Sequence, residues 1–363
     1  MSKELNVSLV VGARPNFIKV APLVRQLENS DCKVKLIHTG QHWDEELSNE
    51  IFQDLKLREP DIHLDTPKDS MNKQLGYMIQ KFDDYFSSNL EETLVGVVGD
   101  VTSTLAASLS AKNKGRNLFH IEAGLRSKNL LMPEERNRIM VDHISDICFA
   151  PCNYAVANLT NENIDKQKIS LVGNIMIDSL KDNIETIKSA YSEISSNLGI
   201  SKDFFVVTLH RDENLEKEIL EDIFSALINF SKDFDIVLPA HPRLKNFIEE
   251  NSIDTGGIKL TQSLPYISFL SLVLNSKICL TDSGGLQEET SVLGIPCLTL
   301  RKETERPITV EEGTNKVIGT KKSDIIESVK LVLETGEHKE ADIPLWDGQT
   351  SMRIVEVLKE RFI

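Results

Sequence analysis

The chain has 363 residues, 40% hydrophobic and 27% charged, the mix of a folded globular protein with room for two domains. Its 41 basic and 56 acidic side chains leave a formal net charge of −15, which argues against a general nucleic-acid binder, because that task needs clustered positive charge. No run approaches the roughly 18 apolar residues of a membrane span, so no membrane partner is expected. The first residues pass directly into a strand-like segment and do not read as a signal peptide. The five cysteines (Cys32, Cys148, Cys152, Cys279 and Cys297) lack zinc-site spacing and are expected to be reduced structural thiols in a cytoplasmic protein, with no metal.

Taken in chain order, short apolar, β-branched runs at 7–11, 34–37, 94–98, 118–121 and 147–149 read as buried strands. Amphipathic segments at 15–28, 44–57, 72–90 and 102–114 fall between them and read as helices. The alternation restarts with strands at 205–208, 236–239, 258–260, 278–280 and 297–300, separated by helices at 219–230, 247–251, 269–274, 286–293 and 323–334. One helix, 176–198, is expected to open the second half after a linker near 172–174, and a last helix follows the Trp346-Asp347-Gly348 turn at 350–361. Two such series predict an α/β protein of two Rossmann-like, doubly wound domains, 1–172 and 173–346, facing each other across a cleft.

Ligands of doubly wound sheets bind beyond the carboxyl ends of the strands, so the residues there carry the functional information. Gly12-Ala13-Arg14-Pro15 follows the first strand and opens a helix, with Pro at a position where it costs no hydrogen bond. Arg14 and Lys19 near that helix start are explained by an anion sharing the place. Gly99-Asp100, then His120 to Arg126 containing Glu122, then Met132-Pro133-Glu134-Glu135 bring the carboxylates Asp100, Glu122 and Glu134 to neighbouring strand ends and a nearby loop. Neighbouring carboxylates push one another's pKa values apart, which suits acid–base chemistry. His210-Arg211 and His241-Pro242-Arg243 follow two strands of the second half, and add positive charge. Asp282-Ser283-Gly284-Gly285 sits at a strand-to-helix junction, where exposed backbone N–H groups and a hydroxyl suit a phosphate, and Glu289 lies about a turn further on, where a carboxylate can take ribose hydroxyls.

These motifs, in this order, resemble the non-hydrolysing UDP-N-acetylglucosamine 2-epimerase family. The resemblance also covers Thr39-Gly40-Gln41-His42, Glu305-Arg306-Pro307 and Asp347-Gly348-Gln349, and so spans nearly the whole chain. It implies the glycosyltransferase type B fold, with the helix at 347–363 returning to the first domain. It implies interconversion of UDP-GlcNAc and UDP-ManNAc by elimination and re-addition of UDP through a 2-acetamidoglucal, without a cofactor. It assigns Asp100, Glu122 and Glu134 to proton transfer and His210 to the neighbourhood of the diphosphate. Arg14, Lys19, Ser283, Gly284 and Gly285 would form the pyrophosphate cradle and Glu289 would take the ribose, with His241 and Arg306 as further substrate-binding residues. Gln41 and His42 match a region that binds a second UDP-GlcNAc as activator in some members. A homodimer in polysaccharide biosynthesis is expected. The chain departs from the pattern at Val101, Ala13, Leu209 and Asp212, the last standing where many members carry a second Arg. Alternatives are epimerisation of a related sugar such as UDP-2,3-diacetamido-2,3-dideoxyglucuronate, or a type B glycosyltransferase, which would need an acceptor site.

Overall fold

The computed structural model describes residues 5–41, 45–91, 93–336 and 341–363, with the backbone alone for 45–49. The chain divides into a unit formed by Met1–Asp182 with Pro344–Ile363, and a second unit formed by Asn183–Ile343.

In the first unit the strands are β1 (Asn6–Val11), β2 (Lys33–His38), β3 (Ile62–His63), β4 (Leu94–Val98), β5 (Asn117–Ile121), β6 (Ile147–Ala150) and β7 (Ile169–Leu171). They form one sheet in the order β3-β2-β1-β4-β5-β6-β7, with all pairs parallel. The second unit carries β8 (Phe204–Thr208), β9 (Asp235–Pro239), β10 (Ile258–Thr261), β11 (Ile278–Thr281), β12 (Cys297–Thr299) and β13 (Asn315–Val317), ordered β10-β9-β8-β11-β12-β13 and again parallel. Both orders reverse direction once, between β1 and β4 and between β8 and β11, where doubly wound sheets take their ligands. The two-sheet α/β class read from the sequence is therefore the class observed. The short strands β3, β7 and β13 were not anticipated. Each has two or three residues and too little apolar patterning to stand out, and β3, β7 and β13 lie at sheet edges.

The helices in chain order are α1 (Arg14–Glu28), α2 (Glu45–Leu55), α3 (Met71–Ser88), α4 (Thr102–Asn113), α5 (Pro133–Ile144), α6 (Asn153–Asn161), α7 (Ile175–Asp182), α8 (Ile184–Asn197), α9 (Lys217–Ile228), α10 (Pro242–Asn251), α11 (Tyr266–Asn275), α12 (Gly284–Leu293), α13 (Pro307–Glu311), α14 (Lys322–Thr335) and α15 (Thr350–Phe362). Among the described residues, no helix is long and apolar enough to cross a membrane. The single helix expected at 176–198 is two. Residues 175–180 are buried throughout, whereas α8 buries only Ile187, and Asn183 between them leaves helical geometry at φ −110°, ψ 4°. The different burial demands of the two halves separate them.

Burial drives both sheets. All of β4 is buried, and Val95 and Val97 pack with Phe82 and Phe86 of α3 and Leu105 of α4. Phe205, Phe224, Ile236 and Leu280 anchor the equivalent core of the second unit. Gly96 in β4 is dictated by close approach, since a Cβ there would come within 2.2 Å of the Phe119 ring on β5. α15 is held to the first unit by Asp178 of α7, whose carboxylate accepts the Thr350 and Ser351 N–H groups (3.1 and 2.7 Å) and caps the helix. The Trp346 indole donates to the Pro151 carbonyl (3.1 Å) just upstream.

At the end of β2, His38 is fully buried with its ring against Phe17 (centroids 5.2 Å apart) and His63 (5.5 Å). Burial first, and then the neighbouring His63, hold its pKa down at about 4. The native state therefore prefers neutral His38, while the unfolded chain takes up a proton below pH 6.5. Its contribution is complete above that pH and is lost as pH falls towards 4. Urea titrations should show the His38→Phe variant losing about 2 kcal/mol less stability than the parent between pH 7 and pH 5. Equal losses in both proteins would contradict this.

Candidate active site

In the first unit, register sets the site. Val98 of β4 pairs with Ile121 of β5, so Gly99-Asp100 and Glu122 leave the sheet side by side. Gly99 and Glu122 both adopt left-handed backbone, at φ +70° and +69°. For glutamate that conformation is strained and persists only where the surroundings fix it. What fixes it is a buried network one residue away. His120 on β5 is enclosed, with Nε2 2.7 Å from the Gly99 carbonyl and Nδ1 2.6 Å from Asp142 of α5. Asp142 also accepts from the Arg126 guanidinium (2.7 Å) and the Gly124 N–H (3.1 Å). Burial alone would raise the Asp142 pKa, but His120 and Arg126 outweigh it and hold it below the usual carboxylate value.

Glu122 is buried and ion-paired with Lys19 of α1. Lys19 thus meets a carboxylate of this chain where the sequence suggests a bound anion. The start of α1 is similarly occupied, because Asn16 Oδ1 accepts the Gly12 and Ala13 N–H groups at 3.0 Å each. Gly12 earns its place by packing. A Cβ there would fall 1.9 Å from Ser103 Oγ. Ser103 is the second residue of α4, and its N–H donates to Gln41 Oε1 (2.9 Å). His42 lies outside the described residues. Arg14 is half-buried at the first position of α1. A cavity of about 10 Å³ opens beside Glu122, walled by Lys19, Phe149 and Asn174 among others.

Asp100 is ion-paired with Arg138 of α5, and its carbonyl accepts from Asn137 (2.9 Å). Glu134 is exposed in the first turn of the same helix, four residues before Arg138, hence on nearly the same face. Its neighbour Glu135 is buried and spent on the preceding loop, accepting from Ser127 N–H (2.8 Å), Ser127 O–H (3.1 Å) and Lys128 N–H (2.9 Å).

In the second unit, Thr208 of β8 pairs with Thr281 of β11, so His210-Arg211 and Asp282-Ser283 emerge together. Asp282 is fully buried, whereas His210 is 53% exposed with Nδ1 2.5 Å from Asp282 Oδ1. Burial acts to raise the Asp282 pKa, but hydrogen bonds from His210 and Arg211 bring it below the usual value. Ser283 precedes α12 without capping it through its side chain. Arg306 lies over Gly284, where a Cβ would sit 2.3 Å from its Nη1. Its Nε donates to Glu288 (2.9 Å). Arg301 grips Glu305 with two hydrogen bonds (2.9 and 3.0 Å), overcoming the burial that would raise the Glu305 pKa and holding it far below normal. Glu289 is buried and accepts from the Tyr266 hydroxyl (2.9 Å). His241 is exposed at the start of α10, with Nδ1 accepting from the Arg243 N–H (3.3 Å). Arg243 pairs with Asp212.

Sequence reasoning missed the parts played by Asp142, Asp282, Asn16, Arg138 and Arg301. Only Asp282 carried a signal, as an acid in the first position after a buried strand, where burial demands donors.

A family model described as UDP-N-acetylglucosamine 2-epimerase matches residues 25–359. A Methanocaldococcus jannaschii protein named UDP-N-acetylglucosamine 2-epimerase is 34% identical, with 98% of this chain and 99% of that protein covered. A Pseudomonas aeruginosa protein named UDP-2,3-diacetamido-2,3-dideoxy-D-glucuronate 2-epimerase is 35% identical with the same coverage of both. The crystal structure of the M. jannaschii UDP-GlcNAc 2-epimerase in complex with UDP-GlcNAc and UDP matches with a TM-score of 0.90, over 98% of this chain and all of that one.

The Lys19–Glu122 pair has a thermodynamic signature. Lys19→Met strands a buried carboxylate and should cost about 3–5 kcal/mol in urea unfolding. The Lys19→Met/Glu122→Gln double variant should recover at least half of that loss. A double variant as unstable as the single one would show that the pairing does not set the cost.

Proposed function

The chain belongs to the UDP-N-acetylglucosamine 2-epimerase family, and from that premise we propose that it interconverts UDP-GlcNAc and UDP-ManNAc by eliminating and re-adding UDP. The observation that carries this reading is the pair of carboxylates, Asp100 and Glu122, leaving adjacent strand ends with each held by a cation. A carboxylate takes the C2 proton, the C1–O bond to the diphosphate breaks, and the electron pair of the C–H bond becomes the C1–C2 double bond. Proton return to C2 on the other face and attack of the diphosphate oxygen at C1 complete the isomerisation. The C2 proton is weakly acidic, so stabilising the departing diphosphate is half of the chemistry.

The roles follow the chemistry of each group. Asp100, Glu122 and Glu134 exchange protons with the sugar. Arg138 and Lys19 keep Asp100 and Glu122 in place. The diphosphate is assigned to the start of α12 in the second unit, which carries no side-chain cap. There the Ser283 hydroxyl and the Gly284 and Gly285 backbone offer donors at the start of α12, with His210, His241 and Arg306 supplying hydrogen bonds and charge. Arg14 keeps the substrate-binding role that the family resemblance gives it. Glu289, braced by Tyr266, takes the ribose hydroxyls. All five cysteines are buried thiols, which supports a cytoplasmic enzyme. A homodimer is part of the same reading.

NMR in deuterated water tests the reaction. UDP-GlcNAc should gain deuterium at C2 as the manno isomer grows in, with no nicotinamide added. Turnover that requires NAD and leaves C2 unlabelled would sink the elimination. UDP-2,3-diacetamido-2,3-dideoxyglucuronate assayed in parallel identifies the preferred sugar.

The two neighbouring glutamates of α5 should separate cleanly. Glu134→Gln should lower turnover by about 10²–10⁴-fold with unchanged thermal stability, the usual worth of general acid–base catalysis. Glu135→Gln should lower the melting temperature, because it weakens three bonds to the 127–128 loop. The reverse pattern would reassign the proton chemistry.

A further inference from the structure

We propose that Asp282 is a positioning residue that locks His210 in its Nδ1–H tautomer, so that Nε2 is the ring nitrogen presented to the substrate; this rests on the epimerase reading above. The inference comes from counting donors and acceptors around one buried carboxylate. Asp282 Oδ2 receives the His210 N–H (3.0 Å), the Arg211 N–H (3.0 Å) and the Asn214 side-chain amide (3.1 Å). Oδ1 lies 3.2 Å from the His210 N–H and 2.5 Å from His210 Nδ1. Both backbone amides can only donate. Asn214 also donates to the Leu300 carbonyl (3.1 Å), so its side-chain nitrogen faces Asp282 with its hydrogens. A carboxylate surrounded in this way serves as acceptor throughout, and the proton between it and the imidazole belongs on Nδ1.

The lock is rigid because its parts hold one another. Thr208 and Thr281 bridge the two strand ends through their hydroxyls (2.6 Å), and the Arg211 side chain donates back to the Asp282 carbonyl (3.1 Å). Asp282 is enclosed, while the His210 ring is 53% exposed. With Nδ1 committed to the buried side, Nε2 is the one ring position that can gain or release a proton without breaking this network. A neutral ring accepts a hydrogen bond there, and a protonated ring donates one to a diphosphate oxygen. A rotated ring, or the other tautomer, would turn a C–H or a misplaced donor towards the substrate.

The decisive measurement uses full-length protein labelled with ¹⁵N-histidine. Long-range ¹H–¹⁵N spectra are recorded at pH 9, above the ordinary imidazole range, with His210→Asn used to assign the signal. His210 should be a single Nδ1–H tautomer, with Nε2 carrying the lone pair. Asp282→Asn should abolish that preference and lower kcat on the order of 10²-fold or more, with KM changed only a few-fold. In a His210→Asn background, Asp282→Asn should cost little further kcat, because the two residues act as a unit. An Nε2–H tautomer or an equal mixture in the parent protein would overturn the proposal. So would a folded Asp282→Asn variant with unchanged kcat, or losses that multiply in the double variant. If Asp282→Asn fails a thermal-melting check, the parent spectrum decides alone. Failure of the epimerase reading is seen separately, as absence of UDP-GlcNAc turnover by the parent protein, and leaves the spectrum unaffected.

Discussion

A carboxylate taken out of water costs several kcal/mol unless donors surround it, and each unit of this protein buries an aspartate near the carboxyl ends of its strands. Asp142 gathers His120, the Gly124 amide and Arg126, and Asp282 gathers His210, two backbone amides and Asn214. The penalty is escaped only when every donor is in place, so each aspartate specifies the geometry of the loop around it. In the first unit this organises the Gly99 and Glu122 backbones, through a histidine wholly shut away from solvent. In the second the same chemical device ends in a ring that half faces outward. One arrangement is closed to solvent, and the other leaves an imidazole facing it.

The two sheets share a topology but treat the helix starts at their reversal points differently. Around β1 and β4, side-chain amides accept backbone N–H groups near the helix starts: Asn16 takes Gly12 and Ala13 just ahead of α1, and Gln41 takes Ser103 in the first turn of α4. At α12 the start instead carries two glycines, with a guanidinium laid over the first. The charge distribution follows the same division. Lys19 and Arg138 each meet a carboxylate of the site, whereas in the second unit Arg301 and Arg306 are ordered by Glu305 and Glu288 within a largely buried network.

Much of this was legible in the residue order. Long apolar strands such as β4 and β8 are announced by continuous burial, and strand-end position singled out Asp100, Glu122, His210 and Ser283. What stayed illegible depends on pairing across sequence distance. Nothing local at Asn16 shows that it turns back on Gly12, and nothing local at Lys19 shows its pairing with Glu122, 103 positions away. The break between α7 and α8 escaped notice because both halves are amphipathic. What separates them is which unit each packs on, and periodicity does not encode that. Glu134 and Glu135 are the sharpest case. They are identical and adjacent, yet a 100° step around the helix exposes one and buries the other.

The attachment of α15 has a consequence for the order in which the chain acquires structure. The second unit is continuous from Asn183 to Ile343, whereas the first includes Pro344–Ile363. Domains emerging from the ribosome ordinarily fold from the amino terminus onward. Here the amino-terminal sheet can be formed early, but Asp178 has no helix to cap and Pro151 no indole to accept until residues 346–351 are synthesised. The second unit can thus complete its own core during translation while the first is still waiting for its last piece. The strand ends bearing Asp100 and Glu122 therefore sit in the unit that is finished last.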